Sequence, residues 1–427
     1  MTPYDKNNII KRAELKEDIY MSKKKEYRIK LAHFNIILAV SIVILIAVSL
    51  GISGVVINKI KEKDAPAETT TDKVVSNPTT TKENVSTEET EEPILTVKDY
   101  YELANNKFEE GEYKDALNYS YCFLDMDADV AWKEEILFKI ADVYVNDNNL
   151  RAAYYLLEDC GIGGLVERYC KEKVDLKKSL TKYMDSTDKN YIYMGYYPQT
   201  GYSASEVPEY VTKAVFDANN FARIYGVEYT RIKNGDTYDY FVSEPVRWWI
   251  IKSDSKSYTV VTDKLIDCKP FHNDLTSVTW DTSALKTWTN GEFYNKCFNE
   301  KEKAFITEHT TPASWNYYYQ FESGKSTIDK VGVIPAASLS DRTHIFMDHD
   351  SDESKLLRKA LVTDYSAAQG AYVDDNGYGK WWTATSANKE NWYTITVTHD
   401  GIVLIVSGGE VVNKTDICVR PYMTIKK

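Results

Sequence analysis

EEGEYKDAL (Glu109–Leu117) and NDNNLRAAY (Asn146–Tyr154) are two versions of one segment, set 37 residues apart. Ala104 recurs as Ala141, Gly111 as Asn148, Tyr113 as Leu150 and Ala116 as Ala153. Each copy predicts a helix, a tight turn at Gly or Asn, and a second helix. The small alanines allow the two helices to cross closely, and repetition predicts two stacked hairpins. Thr96 and Asp99 form a capping-box pattern, so the first helix should begin just after Thr96. The amphipathic stretch Leu165–Met184, with Leu165, Tyr169, Val174, Leu176 and Leu180, is expected to close the far end as a further helix.

Upstream, residues 64–95 change to Thr, Glu, Pro and Asn with no hydrophobic period. Such a segment cannot bury a core and reads as a disordered stalk over 58–95. Before it stands FNIILAVSIVILIAVSLGISGVVI, residues 34–57, in which 16 of 24 residues are Ile, Leu, Val or Phe. A helix of that length reaches about 36 Å, enough to cross a hydrocarbon core of about 30 Å. Residues 1–33 carry nine Lys or Arg and form a basic segment expected in the cytoplasm. The expectation is a single-pass protein of the cell membrane, in contact with membrane lipid through 34–57, its C-terminal domains extracellular.

The charge divides the same way. Residues 1–63 hold 12 basic and six acidic side chains, and the remainder carries a net −18. So acidic a remainder argues against a nucleic-acid partner.

The texture downstream of the helices, from about 187, is Tyr- and Trp-rich, with short alternating runs broken by Gly, Asn and Asp. Strands are expected at Val246–Ile251, Tyr258–Thr262, Trp392–Thr398 and Ile402–Val406, the last two joined by His399-Asp400-Gly401. Short helices are expected at Ser283–Thr289, Glu292–Phe298 and Glu300–Ile306, with Asn290-Gly291 as a break.

Two resemblances follow from these motifs. The repeated pair over 96–186 resembles tetratricopeptide repeats, although the spacing exceeds the usual repeat and places extra residues near Met126–Val130. YYPQT (196–200), EPVRWWII (244–251), DKLIDCKPF (263–271), TWDTSALKTWTNGEFYNKCF (279–298), DKVGVIPAASL (329–339), GKWWTATS (379–386) and CVRPYM (418–423) come in that order. Together they resemble the bacterial domain-of-unknown-function family 6273 over nearly all of 190–427. That layout in turn resembles C-type-lectin-like folds. Trp381-Trp382 is followed by Thr383-Ala384-Thr385, where the family usually reads Leu-Arg-Ser, so no role of that Arg carries over. The expected fold class is therefore multidomain. It runs from a single transmembrane helix through tetratricopeptide-like hairpins to an α+β C-type-lectin-like module over 187–427.

Catalytic patterns are weak. Gly201-Tyr202-Ser203-Ala204-Ser205 lacks the closing glycine of a nucleophile elbow, and the two S-x-x-K matches have no K-T-G. Asp348–Glu353 opens like a calcium loop but has Glu353 at the turn and Lys359 at the last ligand position. No cofactor or metal is expected. Six cysteines split three and three between the helical part and the module, which favours free thiols. The candidate binding residues are Trp315, Tyr317, Tyr318 and Tyr319, in an irregular stretch where amphipathic rings suit a protein or glycan partner. Trp381 and Trp382 read as core. The expected function is a non-catalytic binding module, with a cell-wall- or surface-acting enzyme and an envelope scaffold as alternatives.

Overall fold

Thr96 accepts a hydrogen bond from the Asp99 amide while Asp99 caps the Thr96 amide, and α1 (Val97–Glu110) starts there. A left-handed Gly111 (φ 76°) ends it, and α2 (Tyr113–Leu124) returns. α3 (Val130–Asn146) and α4 (Leu150–Asp159) repeat the hairpin, with Asn148 left-handed at φ 60° in the equivalent turn. Ala104, Ala116, Ala141 and Ala153 are all fully buried, as close helix crossings require. Residues 125–129 join α2 to α3, and Asp129 caps the next helix.

The computed structural model describes residues 94–427, apart from 203–205, 342–343, 347–350 and 406–407. The membrane-spanning expectation is corrected on this ground. Among the described residues no helix is long and apolar enough to cross a membrane. Residues 34–57, on which that reading fell, lie outside the described residues, as do the basic segment and most of the stalk. The single-pass topology, the cell-membrane location and the lipid contact are withdrawn with it. What is observed is a helical region over 97–172 followed by a mostly stranded one.

The stretch Leu165–Met184 is not one helix. α5 (Leu165–Glu172) stops where Lys173 leaves helical geometry, and a 3-10 turn follows at Leu176–Leu180, capped by Asp175. Tyr183–Met184 is already strand β1, paired with β2 (Tyr191–Gly201). Its apolar residues are buried all the same: Leu165, Tyr169 and Leu176 sit in the helical core.

Nine strands form the larger sheet: β1, β2, β3 (Phe221–Ile224), β4 (Val227–Asn234), β5 (Thr237–Ser253), β6 (Ser257–Thr262), β8 (Ile306–Thr307), β13 (Gly332–Val333) and β18 (Pro421–Lys426). β5 is its spine, pairing with β2, β4 and β6. A second sheet has β7 (Asp267–Cys268), β14 (Trp381–Ser386), β15 (Tyr393–Val397), β16 (Glu410–Val411) and β17 (Cys418–Val419). It is antiparallel except where β14 meets β17. β9 (His309–Thr311) pairs with β12 (Thr327–Asp329), and β10 (Ser314–Asn316) with β11 (Phe321–Ser323).

Two local expectations fail for identifiable reasons. Asn290-Gly291 does not break the chain: helix Ala284–Trp288 runs through a π turn, Thr289–Phe293, into Tyr294–Cys297. The Asn290 side chain accepts from the Lys330 amide (2.7 Å) and donates to the Val331 carbonyl (2.8 Å), so a distant segment holds the turn open. Among the described residues 402–405 no strand forms; Val403 makes an isolated bridge to Val397, although the turn before it closes through Gly401 N–H to the Thr398 carbonyl.

Helices and sheet share one core within the compact unit Leu95–Lys427. The β3–β4 turn, Tyr225-Gly226, is inserted against the helices. Tyr225 stacks on Tyr121 at 4.0 Å and donates to Asp125 at 2.8 Å. Gly226 has φ 84°, and a Cβ there would lie 2.1 Å from the Ala152 carbonyl oxygen, so only glycine fits. Close by, Arg151 of α4 donates to Glu302 at 2.7 Å with both side chains buried, and Glu302 also accepts from the Gly195 amide.

Candidate functional site

The four aromatic residues singled out from sequence belong to one hairpin. Strand alternation turns Ser314 and Asn316 inward and Trp315 outward. Asn316 is buried and donates to the Ser386 and Ala387 carbonyls at the end of β14. Its side-chain oxygen accepts from the Tyr318 and Tyr319 amides at 3.2 and 3.1 Å. Ser314 accepts from the Ser386 amide at 2.8 Å. Gln320, left-handed at φ 52°, completes the turn, and Phe321 fills the inner side. The outer side presents Trp315, Tyr317, Tyr318 and Tyr319, exposed by 50, 40, 53 and 44%. Tyr318 and Tyr319 meet edge to face at 4.9 Å. Trp392 and Tyr393, also exposed, leave the neighbouring β14–β15 turn, whose Ala387 amide donates to the Tyr393 carbonyl.

The family-like motifs serve packing. Trp381 and Trp382 are fully buried; Trp382 packs on Phe271 and donates to the Lys269 carbonyl. Arg420 of the VRP motif is buried against the Trp381 ring and donates to the Thr262 and Arg358 carbonyls. Burial lowers its pKa to about 10. Cys268 and Cys418 face each other across β7 and β17, and all six cysteines are free. A hydrogen bond to Cys268 together with burial pushes the Cys418 thiol well up, and burial does the same to Cys297, so neither is an activated nucleophile. Residues 348–350 of the acidic loop lie outside the described residues. Among the described residues no group of three His, Cys, Asp or Glu could hold a metal ion.

A second feature was not read from the sequence. At the junction of helices and sheet lies an open cleft of about 500 Å³. Tyr121 and Tyr144 form its helical wall, and their hydroxyls hydrogen-bond at 2.7 Å. Tyr202 and Tyr229 lie on the sheet side, and Tyr210, from the short helix Glu209–Thr212, meets Tyr121 edge to face at 4.6 Å. Burial raises the pKa of every one of these phenols, that of Tyr210 to about 12. Gln199 and Glu244 line the sheet side. Gln199 donates to the Glu244 and Pro245 carbonyls, and Glu244 accepts from Thr200 at 2.9 Å. The residues come from segments far apart in the chain, and the abundance of tyrosine (33 residues) was the one available signal.

No curated protein and no solved structure matches the chain. Its C-terminal part, residues 247–427, matches the family described as a domain of unknown function (DUF6273), a match that begins inside β5 and leaves YYPQT and α1–α5 outside it.

Proposed function

We propose that the chain is a non-catalytic binding protein whose module presents Trp315, Tyr317, Tyr318 and Tyr319 to a protein or glycan partner. One observation carries the reading: four large rings are held outward on a hairpin whose inward residues are buried and hydrogen-bonded to β14. Exposed rings on a fixed backbone lose little entropy on binding, which is why Trp and Tyr dominate binding hot spots. The reading keeps two finer resemblances, α1–α4 to tetratricopeptide repeats and the stranded module to C-type-lectin-like folds. In this reading the helices hold the chain's own Tyr225-Gly226 turn and brace the module. The net −18 of residues 64–427 argues against nucleic acid as a partner.

The test replaces Trp315 and Tyr318 by Ala in the full chain. Circular dichroism checks the fold, and binding to a glycan array and to fractionated cell extract is then compared. Binding should weaken by about 30-fold or more, the loss of a hot-spot pair. Undiminished binding by the folded variant would overturn the reading.

A further inference from the structure

The cleft between helices and sheet has the dimensions of a small-molecule site, about 500 Å³ against the roughly 300–1,000 Å³ typical of such pockets. Its chemistry is narrower than its size. Six tyrosines line it, Tyr193 among them, from the helices and from the sheet. Burial keeps them uncharged; Tyr144 donates to the Tyr225 carbonyl and therefore accepts from Tyr121, which leaves these two as acceptors toward a ligand. Their ring faces supply flat apolar surface between the hydroxyls, and Tyr202 and Tyr229 lie 6.3 Å apart with their planes 28° from parallel.

The remaining charges do not favour an anion: Asp147, Glu244 and Asp263 outnumber Arg247 and Lys264 in the lining. Arg247 is engaged by Asp185 at 2.9 Å and by Asp263 at 3.2 Å, so its charge is already matched. Glu244 keeps acceptor capacity beyond its bond from Thr200, since a carboxylate offers about four lone-pair sites. Phenol hydroxyls, apolar ring faces and a lining with one negative charge in excess match a molecule with alternating C–H faces and hydroxyl edges. We propose that this cleft binds a neutral polyhydroxylated ligand, a mono- or disaccharide. The site uses α2, α3, β2, β4 and β5, and is independent of the β10–β11 hairpin.

The experiment is calorimetric titration of the full chain with maltose, cellobiose and N,N′-diacetylchitobiose, and with glucose 6-phosphate as an anionic comparator. At least one neutral disaccharide should bind saturably. Glu244→Gln, which preserves shape, and Tyr202→Ala should each weaken that binding by ~10-fold, the scale of one lost charged hydrogen bond or stacking face. The Trp315→Ala, Tyr318→Ala double variant should leave it unchanged. The proposal is overturned by no saturable heat from any neutral sugar, or by glucose 6-phosphate binding tighter than all three. It is also overturned if neither cleft variant shifts the affinity, or if the hairpin variant abolishes it.

Discussion

Trp381-Trp382 and Trp315–Tyr319 are both runs of large rings on short strands, yet the first is fully buried and the second about half exposed. The difference lies in what covers each strand. β14 has β15 on one side and β17 on the other, and both of its faces are packed. Trp382 meets Phe271 on one face while Trp381 meets Arg420 on the other. Each indole N–H finds a carbonyl, at Arg358 and at Lys269. β10 has one partner and one covered face, and that face is given to Ser314 and Asn316. The usual pattern is inverted there: polar side chains anchor and aromatic ones face solvent. A ring's fate follows the number of covered faces and the hydrogen bonds available on them.

The largest effect that could break this comparison is alkaline unfolding. Burial pushes Tyr121, Tyr196, Tyr197 and Tyr229 well above the ordinary value of 10.0. The folded state therefore holds protons that the unfolded chain would release. The stability they contribute is complete below about pH 10 and declines as pH rises beyond it. Tyrosinate absorbance of this buried class should grow together with the loss of far-ultraviolet circular dichroism. A full tyrosine titration with the dichroism intact would show that these rings are not sealed in.

Next comes Trp381→Ala. Removing a fully buried indole from between β15 and β17 leaves a cavity and strips Arg420 of its ring, for about 3–5 kcal/mol lost in denaturant unfolding. A loss below about 1 kcal/mol would mean that β14 is not covered on both faces.

Asn316→Ala should cost less, about 1–3 kcal/mol, because it leaves carbonyls at Ser386 and Ala387 and amides at Tyr318 and Tyr319 without their partner. Hydrogen exchange should quicken at those two amides before it does in β14. Unchanged exchange there would remove the anchor from the argument.

Much of the helical part is written locally. The capping pair Thr96–Asp99, the left-handed Gly111 and Asn148, and the four alanines are each decided by a few neighbouring residues. The strands expected over Tyr258–Thr262 and Trp392–Thr398 are found as β6 and β15, although burial runs through successive residues on both faces, Val260–Thr262 and Thr394–Val397. The misread places depend on distant partners. Asn290-Gly291 looks like a break until Lys330 and Val331 supply its hydrogen bonds. Leu165–Met184 has a helical period, but Tyr183–Met184 is captured by β2. The VRP motif was visible, but the role of Arg420 required Trp381 and Thr262, far away in sequence, to be brought beside it. Trp315 and the three tyrosines were legible as candidates through ring density, whereas the polar anchor beneath them was not. The tyrosine cleft was beyond reach for the same reason, since α2, α3 and β4 supply its walls jointly.

Tyr318→Ala is the smallest expected effect and the sharpest test of the comparison. Its ring is 53% exposed and touches Tyr319 edge to face, while its backbone amide, which Asn316 holds, survives the substitution. The stability change should stay within about 0.5 kcal/mol, as for surface positions that hold no network together. Trp381→Ala and Tyr318→Ala both delete an aromatic side chain from the same module, so the ratio of their effects measures burial more than chemistry. If Tyr318→Ala instead lost about 2 kcal/mol, the ring would have to be packed against something that covers the hairpin. That outcome would move Trp315 and Tyr317–Tyr319 from a presented surface to an interior face. A near-zero loss of stability, joined to weakened partner binding, would leave them as rings held outward for recognition.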